Sequence, residues 1–197
     1  MLKVNSLVAV NLLLGESKRF TSEDILTSMS IALTVKKLEL SGALVPYEPL
    51  VKRPSHEQGP RFLWLTPQTS RWCFPENAHP DARISDESLA HLADQMNAFV
   101  WGQFMDWKDD IKRLEPHDKD IWEIRSHLKK PQLRVFGWFA LPKWFVATNY
   151  ALRDDLESKR GPKWEAAINL ADHHRTTLVG SVDFFRDNPS EYVKNPT

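Results

Sequence analysis
The sequence predicts an α+β fold, and three observations carry the prediction. Residues 121–125, 132–139 and 144–152 are short runs rich in Val, Ile, Phe and Trp, separated at Leu128-Lys129-Lys130-Pro131 and at Leu141-Pro142-Lys143. That is the pattern of an antiparallel meander. Apolar residues at helical spacing flank it, with Leu89, Leu92, Met96, Phe99 and Val100 before and Trp164, Ile168, Leu170 and Ala171 after. The chain of 197 residues is 42% hydrophobic and 26% charged, a composition that supports a core and argues against wholesale disorder.

Lysine plus arginine and aspartate plus glutamate each number 26, so the formal net charge is zero. Overall charge therefore gives no support to strong non-specific nucleic-acid binding and leaves that task to a local patch. Cys73 is the single cysteine, which excludes an internal disulfide and a CxxC zinc ribbon and fits a reducing cytosol. The apolar stretch at residues 7–14 is too short to span a bilayer and has no small-residue cleavage signature. The expectation is a cytoplasmic protein with no membrane partner.

In chain order, residues 4–14 predict a buried first helix ended by Gly15-Glu16-Ser17. Thr21-Ser22-Glu23-Asp24 signals a second helix over residues 22–29, because a hydroxyl caps free N–H groups and acids favour the positive end of the helix dipole. Ser30 is expected to cap a third helix over residues 31–41, with Ile31, Val35, Leu38 and Leu40 inward and Gly42 closing it. Ala43-Leu44-Val45, a charged loop and Arg61-Phe62-Leu63-Trp64-Leu65-Thr66 then predict a hairpin. This order resembles the winged helix-turn-helix family over residues 1–66. The resemblance implies a recognition helix at 31–41 that contacts DNA through Thr34, Lys36 and Lys37, with Lys52 and Arg53 in the wing. The plainer alternative is a three-helix packing module whose lysines only solubilise it.

Trp72-Cys73-Phe74-Pro75 is expected to close the strand region, and residues 76–83 read as a linker. The chain is accordingly divided into a winged-helix-like domain at 1–71 and a second domain at 72–197. Ser85-Asp86-Glu87 caps a long helix that Gly102 kinks or breaks, and residues 107–114 predict a further short helical piece. His91, His117, His127, His173 and His174 fall at no convincing ligand spacing and form no HExxH motif, so neither a metal nor another cofactor is expected. Pro162 opens a closing helix, and residues 188–197 read as a fraying tail.

Arg125, Arg134 and Arg153 recur at or near the ends of the three meander runs. Two readings are open for them: an anion-binding surface, or the solvated face of an amphipathic sheet. The runs Ile121-Trp122-Glu123-Ile124-Arg125, Leu133-Arg134-Val135-Phe136 and Phe145-Val146-Ala147 leading to Arg153, with two helices before them and a helix from Trp164 after, resemble the RelE/HigB/ParE toxin superfamily. The similarity is strongest to its phage-derived HigB-like branch and covers residues 85–178. Residues 62–65 or 72–74 would supply that family's first strand.

The resemblance implies a small α+β domain whose antiparallel sheet is cupped by helices. RelE- and HigB-like members cleave messenger RNA in the ribosomal A site without a metal, the ribose 2′-hydroxyl attacking the neighbouring phosphate. Such chemistry needs a base, cations for the phosphate oxygens and an acid for the leaving oxygen. On this resemblance Arg125, Arg134 and Arg153 ligate phosphate, while Lys129, Lys130 and Lys163 add RNA contacts. His127, in the adjacent loop, is the candidate general base. The implied partners are mRNA on the ribosome, a cognate antitoxin, and DNA through the N-terminal module.

Tyr150 and Tyr192 are the only local tyrosines for an acid or base role, and Asp154-Asp155 directly follows Arg153. Three readings therefore stand side by side: an endoribonuclease toxin, a non-enzymatic DNA-binding regulator with a degenerate RelE-like domain, and a ParE-like gyrase inhibitor. Trp122, Trp138, Trp144 and Trp164 are expected in the core, since large aromatics pack sheet against helix.

Overall fold
The computed structural model describes residues 22–49, 61–106, 109–127, 131–156 and 161–180. In chain order the elements are α1 (Ser22–Leu40), β1 (Val45–Pro46), β2 (Phe62–Leu65), α2 (Pro67–Cys73), α3 (Asp86–Trp101), β3 (Ile111–Arg113), β4 (Trp122–Arg125), β5 (Leu133–Leu141), β6 (Trp144–Leu152) and α4 (Pro162–Val179). Short 3-10 turns lie at His117–Lys119 and Arg153–Leu156. Six strands make one mixed sheet in the order β1-β2-β6-β5-β4-β3. The fold is α+β.

The meander read from the sequence is the middle of this sheet, with β4, β5 and β6 pairing antiparallel. All nine residues of β5 are buried. A strand covered on both faces reads as a continuous apolar run and not as an alternation. On one face Leu63, Leu65, Ile124, Val135, Phe139 and Phe145 pack with Leu92, Met96 and Phe99 of α3. On the other, Trp64, Phe136, Trp138, Trp144 and Val146 pack with Ile31 and Val35 of α1 and with Trp164, Ile168 and Ala171 of α4. The four expected core tryptophans are buried.

A register shift between Phe136 and Gly137 gives β6 one extra residue, Thr148, opposite β5. Gly137 sits at that shift because the strands come unusually close there. A Cβ on it would lie 2.0 Å from the carbonyl oxygen of Val146.

Several local expectations are corrected. No break occurs at Ser30. Ser28, Ile31 and Val35 are buried on one face, and the Thr34 hydroxyl donates to the Ser30 carbonyl at 2.9 Å as in an unbroken helix. Leu40, expected inward, is 88% exposed, since the helix ends there and the buried spacing runs through Val35. Residues 72–74 do not form a strand: Pro67 opens α2, and Thr66 Oγ1 caps it by accepting from Thr69 N. The helical piece expected before Pro116 is strand β3, with Ile111 opposite Ile124 and Lys112 opposite Glu123.

Gly102 ends α3 in a left-handed conformation at φ 79. The boundary expected at 71/72 falls inside α2, and residues on both sides of it share one sheet, because β2 runs parallel to β6. The helix expected at residues 4–14 and the wing residues Lys52 and Arg53 lie outside the described residues. No helix among the described residues is long and apolar enough to cross a membrane.

Candidate anion-binding site
The register of the meander brings its three arginines to one end of the sheet. Arg125, last residue of β4, is the cross-strand partner of Arg134 on β5. Arg134 in turn pairs with Ala151 on β6, two residues before Arg153. The first turn of α4 closes in from the side, where Trp164 packs edge-on against Phe136 and lies 5.6 Å from the Arg153 guanidinium. Arg125, Arg134, Arg153 and His127 all line one concavity of about 1220 Å³. Lys112, Arg113 and Lys119 add cationic groups to its wall, and Asp109, Glu115 and Glu165 add carboxylates.

Two arginines directly opposite each other repel, and Glu123 resolves the conflict. Its side chain is wholly buried. Arg125 donates to Glu123 Oε1 from Nε at 2.7 Å and from Nη2 at 2.5 Å. Arg134 Nε lies 3.2 Å from Glu123 Oε2, an ion contact without hydrogen-bond direction. Arg134 also donates from Nη2 to Gln132 Oε1 at 3.0 Å and from Nη1 to the Leu133 carbonyl at 3.2 Å. Burial pulls the Arg134 guanidinium down to about 10; Glu123 opposes this, and the positive charges of Arg125 and Arg153 add to it. Arg134 is thus still cationic at neutral pH and fixed in place.

The remaining cationic wall is braced in a similar way. Arg113 Nε lies 2.8 Å from Asp120 Oδ1, and its Nη2 donates to the His117 carbonyl at 2.8 Å. Asp120, at φ 50, also accepts from Trp122 Nε1 at 3.1 Å. Lys119 Nζ donates to Asn169 Oδ1 on α4 and so ties the 3-10 turn to the helix. His127 Nε2 contacts Asp110 Oδ1. A planar guanidinium grips two oxygens of a phosphate at once, and a helix N-terminus adds partial positive charge. The concavity thus presents fixed guanidinium groups to an anionic oxygen, beside three carboxylates.

Other expected site residues lie elsewhere. Lys163, on the first turn of α4, is exposed and does not line the concavity. Lys129 and Lys130 fall outside the described residues. Tyr150 pairs with Val135 and stacks on Trp72 at 3.9 Å, on the sheet face opposite Arg134. Asp155 is bound by Arg83 through bonds of 2.6 and 2.8 Å. Thr34, Lys36 and Lys37 sit on α1, away from the concavity. Lys36 is bonded to Glu39 at 2.7 Å and lies 5.8 Å from the Trp64 ring.

Sequence reasoning missed Glu123, Lys112, Arg113 and Lys119. Glu123 stands as a single acid inside an otherwise apolar run, which does not by itself tell a buried counter-ion from a solvated residue. Among the described residues, no group of three or more His, Cys, Asp or Glu side chains could hold a metal ion. No family model matches the chain, and no curated protein or solved structure does so.

Proposed function
We propose that the chain is a RelE/HigB-like toxin that cleaves ribosome-bound mRNA at the arginine-lined concavity. The observation that carries this reading is the gathering of Arg125, Arg134, Arg153 and His127 around one concavity. In the proposed reaction the ribose 2′-oxygen attacks the adjacent phosphorus and the bond to the 5′-oxygen breaks. A cyclic 2′,3′-phosphate and a 5′-hydroxyl result. The three arginines hold the phosphate oxygens as negative charge builds up, and His127 takes the 2′ proton. Lys129, Lys130 and Lys163 serve flanking phosphates of the same RNA. A cognate antitoxin and DNA contacted through Thr34, Lys36, Lys37, Lys52 and Arg53 complete the proposed partners, and the site of action is the cytoplasm.

One observation favours a second reading. Arg125 and Arg134 already lean on Glu123, and carboxylates share the concavity wall. A braced, partly neutralised surface also suits non-catalytic docking of an acidic partner.

Controlled expression in a bacterial host separates the two, with growth and primer extension on an abundant transcript as readouts. The nuclease reading expects growth arrest and new RNA ends in the wild type, both lost in Arg125→Ala, Arg134→Ala and Arg153→Ala. Removing one such charge-stabilising donor typically lowers the rate about 10²- to 10³-fold. A folded wild type that leaves growth and RNA intact would end the nuclease reading and turn attention to docking.

A further inference from the structure
Asp110 ends the loop leading into β3, and His127 lies two residues beyond β4. Pairing of the two strands continues past their ends, where Arg125 N–H donates to the Asp110 carbonyl at 2.9 Å. That bond places the Asp110 side chain beside His127, whose Nε2 meets Asp110 Oδ1. The carboxylate is itself oriented. Its other oxygen, Oδ2, accepts from the Asp106 backbone N–H at 2.6 Å, and Asp110 N–H donates to the Asp106 carbonyl at 2.8 Å. The two side chains differ in exposure: His127 is 48% exposed and Asp110 17%. An open imidazole that lines the concavity is therefore backed by a more sheltered, pinned carboxylate that does not itself line it.

We infer that Asp110 is a positioning residue that holds His127 with its proton on Nε2, leaving the Nδ1 lone pair to take a proton from a hydroxyl bound in the concavity. A carboxylate accepting from one ring nitrogen fixes both the tautomer and the ring orientation, and stabilises the imidazolium once it forms. The inference rests on the nuclease reading for the identity of that hydroxyl, the ribose 2′-OH. In the step itself the O2′–P bond forms as the P–O5′ bond breaks. The 2′ proton passes to Nδ1, and the departing 5′-oxygen takes a proton from water. The imidazolium then returns its proton to the hydroxide so produced. Asp110 touches neither the RNA nor the reacting atoms.

Two measurements on the full chain test this. Long-range ¹H–¹⁵N correlation of the histidine rings, with His127 assigned through His127→Gln, reads the tautomer without reference to activity. Single-turnover cleavage of mRNA on programmed ribosomes reads the chemistry. The wild type is expected to show the Nε2–H pattern and Asp110→Ala to lose it, with cleavage about 10- to 100-fold slower at saturating ribosomes. Asp110→Asn keeps an acceptor oxygen without the charge, so it is expected to keep the ring pattern and still cleave more slowly.

An unchanged ring pattern in Asp110→Ala overturns the inference. So does wild-type cleavage by that variant when Arg134→Ala is inactive, and this result leaves the nuclease reading standing. A wild type with the Nε2–H pattern and no cleavage overturns the nuclease reading and the base role together. In that case the ring spectrum still shows the pair to be formed, which tells the two failures apart.

Discussion

Arg125 and Arg134 face each other across β4 and β5 and share one buried acid, Glu123, between them. The pair is held by a carboxylate that solvent does not reach. Two like charges side by side are thus kept on the wall of a concavity where a ligand can meet both.

Removing the shared acid tests that dependence. Replacing Glu123 by Gln leaves Arg134, itself 6% exposed, without its counter-charge. Breaking one side of a buried ion pair costs about 3–5 kcal/mol. Urea unfolding at pH 7 is expected to show a loss in that range, larger than for Arg153→Ala.

Gly137 provides a test of strand packing that involves no charge. An alanine methyl there would enter the space of the Val146 carbonyl oxygen, 2.0 Å from it. Backbone on both strands must then move, and overpacking of this kind costs about 1–3 kcal/mol or more. Gly137→Ala is expected to fall at or above the top of that range in thermal unfolding.

The path of α1 can be checked by paired substitutions. Ile31 is 3% exposed and Leu33 is 61% exposed. Ile31→Ala should cost about 2–5 kcal/mol, while Leu33→Ala should stay within about 0.5 kcal/mol. Equal losses at both positions would contradict the face assigned to this helix.

Acid sensitivity is expected to depend on Arg83. Hydrogen bonds from Arg83 hold the Asp81 carboxyl down to about 2 against an ordinary 3.8, and Arg83 holds Asp155 low in the same way. A depressed folded-state value adds stability that is fully present above the unfolded value and is lost as pH falls through the folded one. The contribution should therefore disappear between roughly pH 4 and pH 2. Urea midpoints compared at pH 5 and pH 2.5 are expected to drop less in Arg83→Ala than in the wild type. Added salt should narrow the difference, because Arg83 and Asp155 are exposed and Asp81 is only half-buried.

The meander and its arginines were legible in the sequence because each arginine interrupts or ends an apolar run. Glu123 was not, since a single acid in a short strand looks the same whether it faces water or two guanidinium groups. Lys112 and Arg113 were hidden by length: three strand residues are too few to show a period of two, and their neighbours favoured a helical reading. At α2 the signal was present in Thr66-Pro67, a hydroxyl cap followed by a proline at the first helical position. The aromatic residues Trp72 and Phe74 outweighed it towards strand. Ser30 misled in the opposite sense, because a serine inside a helix and a serine at its start are alike until the buried face is known.

The parallel pairing of β2 with β6 has a kinetic consequence. Thr66 and the Thr148 carbonyl that it bonds are 82 residues apart in the chain, whereas β4, β5 and β6 are joined by short connections. Loop closure makes distant pairings slow and neighbouring ones fast. The hairpins that carry Arg125, Arg134 and Arg153 are therefore expected to form before β2 docks on β6. Freshly made chain emerging from a ribosome would then carry its cationic wall in near-final form while the edge of β6 still waits for a strand synthesised long before.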